Sequence, residues 1–565
     1  MISSQILIIF LLTPGPGYIL APCPYSSEIS SYDAKISSTS SSGDESFLDY
    51  RDVMTDLKEM MTQSQEWWPA DYGHYGPLFI RLAWHNAGSY RTSDGRGGAD
   101  GARQRFEPER SWADNTNLDK ARSLLWNIKQ KYGSALSWGD LFVLAGNAAI
   151  ESMGGPVLGD SGLSKCRLHY IIAGFCQGRV DAEDGSESVQ LGPSPEQENL
   201  YPCQVNGECD DPLGSNTIGL IYVNPEGHLA NGDPYESAAD IRDVFGRMDM
   251  NDSETVALIA GGHAFGKAHG ACPLGPGPSP EEDPFNPWPG LCGSGKAGDT
   301  FTSGFELPFT SRPTTWDTEY LSNLLTYSWE VVTGPGGHLQ WRPVSESPPM
   351  AVSADGAYNE SVGLLTSDVA LMADDQYKII VSSFAQDLEY FDQSFASAWY
   401  KLTTRDMGPR SRCSNEDAPP AQSWQHPLPE RTDPTPDFFQ VRLTIREIIR
   451  EETVATGLMS RLAWQCASSF RATDYQGGCN GARIRHSPAS DWAVNTNLGE
   501  ALALLEPVKH QYGSSLSWAD LIVLAGTTAL EEAGNMTIPF CDVGRVDSED
   551  GEGWKFLKPR IRLKI

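Results

Sequence analysis

Helical periodicity dominates the pattern of hydrophobic and polar positions along this 565-residue chain. In the clearest segments, apolar residues recur three and four positions apart, as on one face of an α-helix. These segments are 119–132, 138–153, 238–245 and 253–263. Patterns typical of strands are short and scattered, so we predict a mainly α-helical protein. Residues 415–436 are rich in proline and acidic side chains, and we predict that they link two domains.

The chain also repeats itself. Residues 81–154 recur without a gap as residues 461–534, and more than half of the aligned pairs are identical. Self-similarity of this length indicates a duplicated domain. The copies differ at one informative position, because His85 of the first copy is Gln465 in the second. If this histidine takes part in chemistry, only the first copy is active.

The first copy opens with RLAWH, in which Arg81, Trp84 and His85 stand at positions i, i+3 and i+4. On a helix these side chains project from one face. An imidazole and a guanidinium on one face suit cleavage of a peroxide O–O bond. The imidazole moves a proton between the two oxygens, and the guanidinium stabilises the developing negative charge. The alternative is an amphipathic helix with a hydrogen-bonded core histidine, because one short motif is weak evidence.

Further motifs favour the catalytic interpretation. SWADN supplies Asn115, whose side-chain carbonyl is suited to hold an imidazole in one tautomer. AGGHAFGKAHG supplies His263, preceded by glycines that let the backbone pass close to a flat ligand. Two further motifs are IYVNPEG at 221–227 and GRMDMND at 246–252. Together with the tandem repeat, these motifs resemble those of the catalase-peroxidases.

This resemblance, which runs from roughly residue 65 to residue 553, implies two tandem haem-peroxidase-like helical domains. The first, at 45–414, would bind one haem b per chain. The second, at 437–565, would be degenerate, truncated and without haem. The implied activity is the decomposition of hydrogen peroxide to water and oxygen, together with the oxidation of small aromatic donors by peroxide. A homodimer is expected.

The resemblance also implies roles for individual residues. Arg81, Trp84 and His85 would form the distal haem pocket, and His263 would bind the iron. A covalent adduct would join Trp84, Tyr222 and Met248, and this adduct serves the oxidation of a second peroxide to oxygen.

Other positions match residues around the haem of this family. By resemblance, Asp114 would orient peroxide in the access channel and Ser303 would lie near the haem edge. Arg405 matches an arginine that moves towards or away from the adduct tyrosine, and its alternative is a surface salt bridge. Asp368 would accept a hydrogen bond from the iron-binding imidazole and raise its basicity. Phe309 departs from the family, which has tryptophan there, and phenylalanine is harder to oxidise and donates no hydrogen bond.

Composition excludes some partners. The chain has 42 basic and 74 acidic residues, a formal net charge of −32, and no Lys/Arg run before its last residues. This argues against nucleic acid or an anionic membrane as a partner. It is compatible with a small neutral substrate such as hydrogen peroxide.

The N-terminus and the cysteines suggest secretion. Residues 6–12 are apolar and too few to span a bilayer, so 1–22 is predicted to be a signal peptide, although no basic residue precedes the apolar run. Eleven cysteines leave at least one without a partner in the chain. Cys203 with Cys209, and Cys272 with Cys292, could close local loops as disulfides. The alternative is a cytoplasmic protein with reduced thiols.

Two irregularities define a rival hypothesis. Residues 160–174 exceed the spacing that the resemblance implies, and the chain ends before the second copy reaches a counterpart of His263. A misassembled or degraded peroxidase-fold protein, lacking haem and activity, is therefore the alternative.

Overall fold

The computed structural model describes residues 48–159, 174–191, 223–296, 299–300, 303–352, 359–542 and 544–557. Several sequence predictions lie outside these residues. They are the signal peptide, Tyr222, the pair Cys203 and Cys209, and nearly all of the excess segment 160–174.

Helices make up most of the described chain. In the first copy and its extension they are α1 (Tyr50–Met61), α2 (Gly76–Ala87), α3 (Leu118–Tyr132), α4 (Trp138–Ser152), α5 (Pro234–Arg247), α6 (Asp252–His263), α7 (Glu319–Thr326), α8 (Thr366–Ala373), α9 (Asp375–Gln386) and α10 (Leu388–Thr404). In the second copy they are α11 (Phe438–Glu451), α12 (Ala455–Ala467), α13 (Leu498–Tyr512) and α14 (Trp518–Gly534). The mainly α-helical prediction is confirmed, and each of the four periodic segments falls on a helix.

Strands are few in the described ranges. They form three antiparallel pairs: β1 (Lys267–Ala268) with β2 (Leu307–Pro308), β3 (Trp329–Thr333) with β4 (Leu339–Pro343), and β5 (Met350–Val352) with β6 (Asn359–Ser361). The pair β1–β2 follows α6 directly and joins the chain after His263 to the segment that carries Phe309.

The same helix packing recurs in both copies. A β-carbon on Gly146 of α4 would lie 2.6 Å from the β-carbon of Ala83 on α2. In the second copy, a β-carbon on Gly526 of α14 would lie 2.2 Å from that of Ala463 on α12. Only glycine lets the backbones approach so closely. These helices contribute to two separate hydrophobic cores, one in each copy.

The predicted linker, 415–436, packs against both copies. The Cys176–Cys413 disulfide anchors the chain just before it, and Asn415 Oδ1 accepts a hydrogen bond from Gln177 N at 2.9 Å. Gln425 is buried and donates from Nε2 to the Gly408 carbonyl. The segment is therefore an ordered connection, despite a composition typical of a spacer.

Equivalent loops of the two copies meet at the junction. Tyr90 donates its phenol hydrogen to Asp474 at 2.9 Å, and Arg471 donates to the Thr92 carbonyl at 2.7 Å. Thr473 Oγ donates to the Asp94 carbonyl. The second copy thus braces the loop that follows α2.

Three disulfides lie in the described ranges. Cys272–Cys292 is the loop closure that the sequence suggests, whereas Cys176–Cys413 was not predicted. Cys466–Cys479 was not predicted either, and in the first copy its positions are held by Asn86 and Ala99. There, Asn86 Nδ2 donates to the Ala99 carbonyl at 3.3 Å. A covalent bond replaces a hydrogen bond at the same place in the fold.

No described helix has both the length and the apolar character needed to cross a membrane.

Candidate active site

Helix α2 carries RLAWH, and its ends explain why it forms. Pro77 stands in the first turn, where its missing N–H costs no hydrogen bond. The C-terminal Gly88 N–H donates back to the Trp84 carbonyl. The guanidinium of Arg81 donates to the carbonyls of Asp114 (2.8 Å) and Thr116 (3.0 Å), which fixes it beside the SWADN segment.

His85 is almost completely buried, and its tautomer is set by Asn115. The Asn115 amide donates from Nδ2 to the Glu109 carbonyl at 2.7 Å, so its Oδ1 faces His85 Nδ1 at 3.0 Å. An accepting Oδ1 requires the proton on Nδ1, which leaves Nε2 as the basic atom. Burial, and then the positive charge of Arg81, hold the pKa of His85 well below its usual range, although the bond to Asn115 opposes this. The imidazole is therefore neutral and ready to accept a proton.

His263 ends α6 and is oriented by Asp368. Its Nδ1 donates to Asp368 Oδ1 at 2.7 Å. Asp368 is fully buried, whereas the side chain of His263 is 30% exposed. Because Nδ1 is committed to the carboxylate, which fixes the orientation of the ring, Nε2 is the atom left to bind a metal.

Two further contacts complete this proximal side. Phe309 stacks on His263 with ring centres 3.9 Å apart and planes 6° apart. Tyr320, at the start of α7, donates its phenol hydrogen to the same Asp368 Oδ1 at 2.8 Å. The sequence analysis missed Tyr320, since no local motif marks a residue that reaches the site from another helix.

The residues around His263 fit a haem. A haem iron is bound by a histidine imidazole in many proteins, and His263 Nε2 would supply it here. A β-carbon on Gly261 would strike the Phe395 ring at 2.1 Å, so glycine lets α6 lie against α10. A β-carbon on the next residue, Gly262, would have no atom within 4 Å, which leaves open space beside the imidazole. No group of three metal-binding side chains occurs in the described ranges.

Trp84 and Met248 both lie beside Phe245 at the end of α5. The Trp84 ring lies 5.6 Å from that of Phe245, and Met248 caps the same helix turn with its amide bonded to the Phe245 carbonyl. Met248 is buried. Tyr222 is outside the described residues, so its place relative to these two side chains stays a prediction.

Arg405 forms a buried ion pair rather than a surface one. Its Nη2 donates to Asp249 at 3.1 Å, and the side chain is only 4% exposed. The guanidinium lies 5.6 Å from the Tyr90 ring. Asp249 directly follows Met248, so Arg405 is held next to the predicted adduct segment.

Asp114 and Ser303 occupy different environments. Asp114 is buried within SWADN, next to the backbone that binds Arg81. Ser303 is exposed, and its Oγ donates to the His269 carbonyl at 3.3 Å, which ties it to the chain after α6.

The second copy repeats hydrogen bonds that surround His85 in the first copy, but it has no histidine at that position. Arg461 donates to the Val494 carbonyl at 2.8 Å, and Asn495 Nδ2 donates to the Ala489 carbonyl at 2.7 Å. Both bonds repeat those of Arg81 and Asn115 in the first copy. Gln465, however, stands in place of His85, and an amide neither accepts nor releases a proton at neutral pH.

A buried, neutral imidazole next to an arginine of the same helix, together with a carboxylate-bound histidine at the end of another helix, is the arrangement of a haem peroxidase. The sequence model of the family described as "Peroxidase" matches residues 55–387 and 441–559. "Catalase-peroxidase 1" of Haloarcula marismortui is 46% identical over 541 residues, covering 91% of this chain and 72% of that protein. The "Catalase-peroxidase" proteins of Salinibacter ruber and Pseudomonas entomophila are each 44% identical, with the same coverage.

The chain belongs to the catalase-peroxidases. It is accordingly a haem-dependent enzyme that decomposes hydrogen peroxide and uses it to oxidise donors. The rival hypothesis of an inactive remnant is not favoured by this similarity, which extends over most of the chain.

Proposed function

We propose that the first copy holds one haem b per chain, for which His263 Nε2 would be the iron ligand and His85 the base that handles the proton of the peroxide. The observation that carries this proposal is the pair of oriented imidazoles, one fixed by Asn115 and the other by Asp368. Haem supplies an iron that binds peroxide and takes up its oxidising equivalents. A pyridine haemochrome assay against protein concentration tests the stoichiometry, and two haems per chain would contradict it.

His85 carries out the proton transfers. Its Nε2 takes the proton from the peroxide oxygen nearer the iron and returns it to the distal oxygen, which leaves as water. Asn115 keeps the imidazole in the tautomer that this transfer needs. Arg81, held by two backbone carbonyls, stabilises the negative charge on the separating oxygens. Asp114 orients the incoming peroxide.

The catalase half of the activity rests on an adduct of Trp84, Tyr222 and Met248. Support comes from the position of Trp84 and Met248 at one helix end. Arg405 would influence the adduct tyrosine from its place beside Met248, and release from Asp249 would free it to move. Ser303 would lie at the haem edge, where small aromatic donors approach.

The remaining assignments concern the whole protein. We propose a homodimer that is secreted and that binds neither nucleic acid nor membranes; the alternative location is the cytoplasm. The acidic net charge and the apolar N-terminal run support these assignments. Light scattering of the purified holoprotein tests the dimer, and the N-terminal sequence of protein from culture medium tests secretion and removal of 1–22.

A further inference from the structure

The ring stacked on His263 is that of Phe309. Tyr320 lies edge-on to His263 at 5.7 Å and its phenol is bonded to Asp368, whereas a tryptophan, Trp316, lies behind this pair. Phe309, which stacks on His263, is hard to oxidise. Trp316 is buried, and its Nε1–H donates to Asp392 Oδ1 at 2.7 Å. A carboxylate at the indole N–H favours loss of an electron from the ring, because the oxidised indole can pass its proton to the acceptor. Burial raises the pKa of Asp392, which makes this carboxylate a better proton acceptor.

Trp316 touches the helix region that carries His263. Its ring lies 5.7 Å from Phe265, two residues after His263. It also lies 4.8 Å from Phe395, whose ring fills the place beside Gly261. Trp316 therefore packs against Phe265 and Phe395, the rings that adjoin the segment 261–263.

A row of aromatic rings leads from Trp316 to the surface. Phe391 stacks on Trp316 with centres 4.8 Å apart and planes 10° apart. Phe384 follows at 5.4 Å from Phe391, and Tyr390 lies 5.1 Å from Phe384. The phenylalanines are buried, whereas Tyr390 is 46% exposed. A tyrosine is the second ring of this row that can be oxidised under mild conditions, and it is the one that solvent reaches.

The surface at Tyr390 restricts the reductant. Leu388 is also exposed, and the acidic residues Asp387 and Glu389 lie on either side of it. A protein with a net charge of −32 repels anions. The site therefore suits a neutral or cationic reductant with an apolar or aromatic contact face.

The geometry points to an electron path, Trp316–Phe391–Phe384–Tyr390, by which one-electron reductants too large for the haem pocket are oxidised at the Tyr390 surface. The inference rests on the proposed haem site, which provides the oxidising equivalents of peroxide. It names a substrate class, bulky neutral or cationic reductants, in addition to small aromatic donors.

The electrons and protons balance with hydrogen peroxide as the oxidant. One peroxide takes up two electrons and two protons and yields two waters. For each electron, Trp316 gives one electron towards the haem side and its Nε1 proton to Asp392. Tyr390 then returns an electron to the indole, which recovers its proton, while the phenol proton goes to water. The reductant restores Tyr390 with one electron, and a proton returns from water.

The test uses the haem-loaded full chain and reduced cytochrome c, a basic protein that is a one-electron donor. After peroxide is added without reductant, a spin trap followed by peptide mapping should mark Tyr390 in the wild type. Trp316→Phe, which keeps an aromatic ring, should remove the mark from Tyr390. Both Trp316→Phe and Tyr390→Phe should lose most of the peroxide-dependent oxidation of cytochrome c.

Trp126→Phe is the matched control, because Trp126 is exposed but stacks on Trp138, away from the path. It should keep cytochrome c oxidation at the wild-type rate. If Trp316→Phe folds poorly, Asp392→Asn tests the same step by removing the proton acceptor, and it should also slow the reaction.

Oxygen evolution by the same preparations distinguishes failure of the proposed function from failure of the electron path alone. A wild type that binds no haem and evolves no oxygen would refute the proposed function. With oxygen evolution intact, an unmarked Tyr390 or undiminished cytochrome c oxidation in Tyr390→Phe would overturn the path alone.

Discussion

Tyr320 and His263 donate hydrogen bonds to the same carboxylate oxygen, Asp368 Oδ1, at 2.8 and 2.7 Å. The carboxylate therefore divides its negative charge between a phenol and the imidazole that we propose as the iron ligand. Its other oxygen accepts from the Leu365 amide at 2.8 Å. The hydrogen bond that orients His263 thus depends on two distant parts of the chain, Tyr320 and the segment 365–368.

Tyr320→Phe should strengthen the hold of Asp368 on His263, because one competing donor is lost. A more basic proximal imidazole stabilises ferric iron, so the reduction potential of the haem should fall. Spectroelectrochemical titration measures the reduction potential of the haem. Asp368→Asn, which removes the negative charge, is the opposing control and should raise the potential; a change of the same sign in both variants would contradict the assignment.

His85→Gln should slow the reaction with peroxide by roughly 10²- to 10⁴-fold, since positioned acid–base catalysis is lost while haem stays bound. Stopped-flow absorbance measures the rate. The reciprocal change, Gln465→His in the second copy, should leave both the rate and the haem content unchanged. An unaffected rate in His85→Gln would rule out this imidazole as the base.

Tyr222→Phe should abolish oxygen evolution while donor oxidation continues, because the adduct cannot form without the phenol. Mass spectrometry of a digest should show the peptides of Trp84, Tyr222 and Met248 fused in the peroxide-treated wild type. Separate peptides in a protein that still evolves oxygen would refute the adduct.

Asp406→Asn should stabilise the protein above neutral pH. Burial, assisted by nearby Asp100, raises the pKa of Asp406 from its ordinary 3.8 to about 6. Between these values the folded state binds more protons than the unfolded state, so this group's contribution to stability is lost as pH rises through about 6. Asparagine is neutral at every pH, so the variant does not lose stability in this way as the pH rises.

Thermal unfolding of both proteins at about pH 3 and about pH 8 measures the effect, because Asp406 is mostly protonated in both the folded and the unfolded state near the first pH and charged in both near the second. The gain in melting temperature of Asp406→Asn over the wild type should be larger at the higher pH than at the lower pH. An equal shift at both would show that ionisation is not the cause.

Opening the Cys466–Cys479 bond should destabilise the second copy. It closes a loop across 13 positions, and loops of that size are stabilised by about 3 kcal/mol on cross-linking. The double variant Cys466→Ala with Cys479→Ala should therefore unfold at lower denaturant. Cys466→Asn with Cys479→Ala recreates the pair found in the first copy and should recover part of the loss. Equal stability of the two double variants would show that the hydrogen bond contributes nothing there.

Local patterns predicted local features well. The periodicity of 119–132 and 253–263 gives the helices Leu118–Tyr132 and Asp252–His263, and the SWADN motif locates Asn115 as the partner of His85. The pairing of His263 with Asp368, 105 positions apart, was implied by the family resemblance and not by a local pattern. Tyr320 and the Cys176–Cys413 bond could not be predicted in this way. Their contacts join segments far apart in the chain, the cysteines by 237 positions, and depend on how helices pack.

The ion pair of Arg405 shows the same limit. Sequence identified the residue and left open a surface salt bridge, but burial beside Met248 follows only from the meeting of α10 with the end of α5. A pattern states which chemistry a side chain offers, whereas its surroundings decide what that chemistry does.

The recurrence of the Gly146–Ala83 packing as Gly526–Ala463 makes the second copy an internal reference for the first. The helix pair forms with glutamine in place of the base, so the architecture does not depend on the imidazole. An engineer could therefore introduce residues of the RLAWH segment one at a time into the second copy and measure there what each substitution costs in folding stability, while the first copy keeps its own sequence.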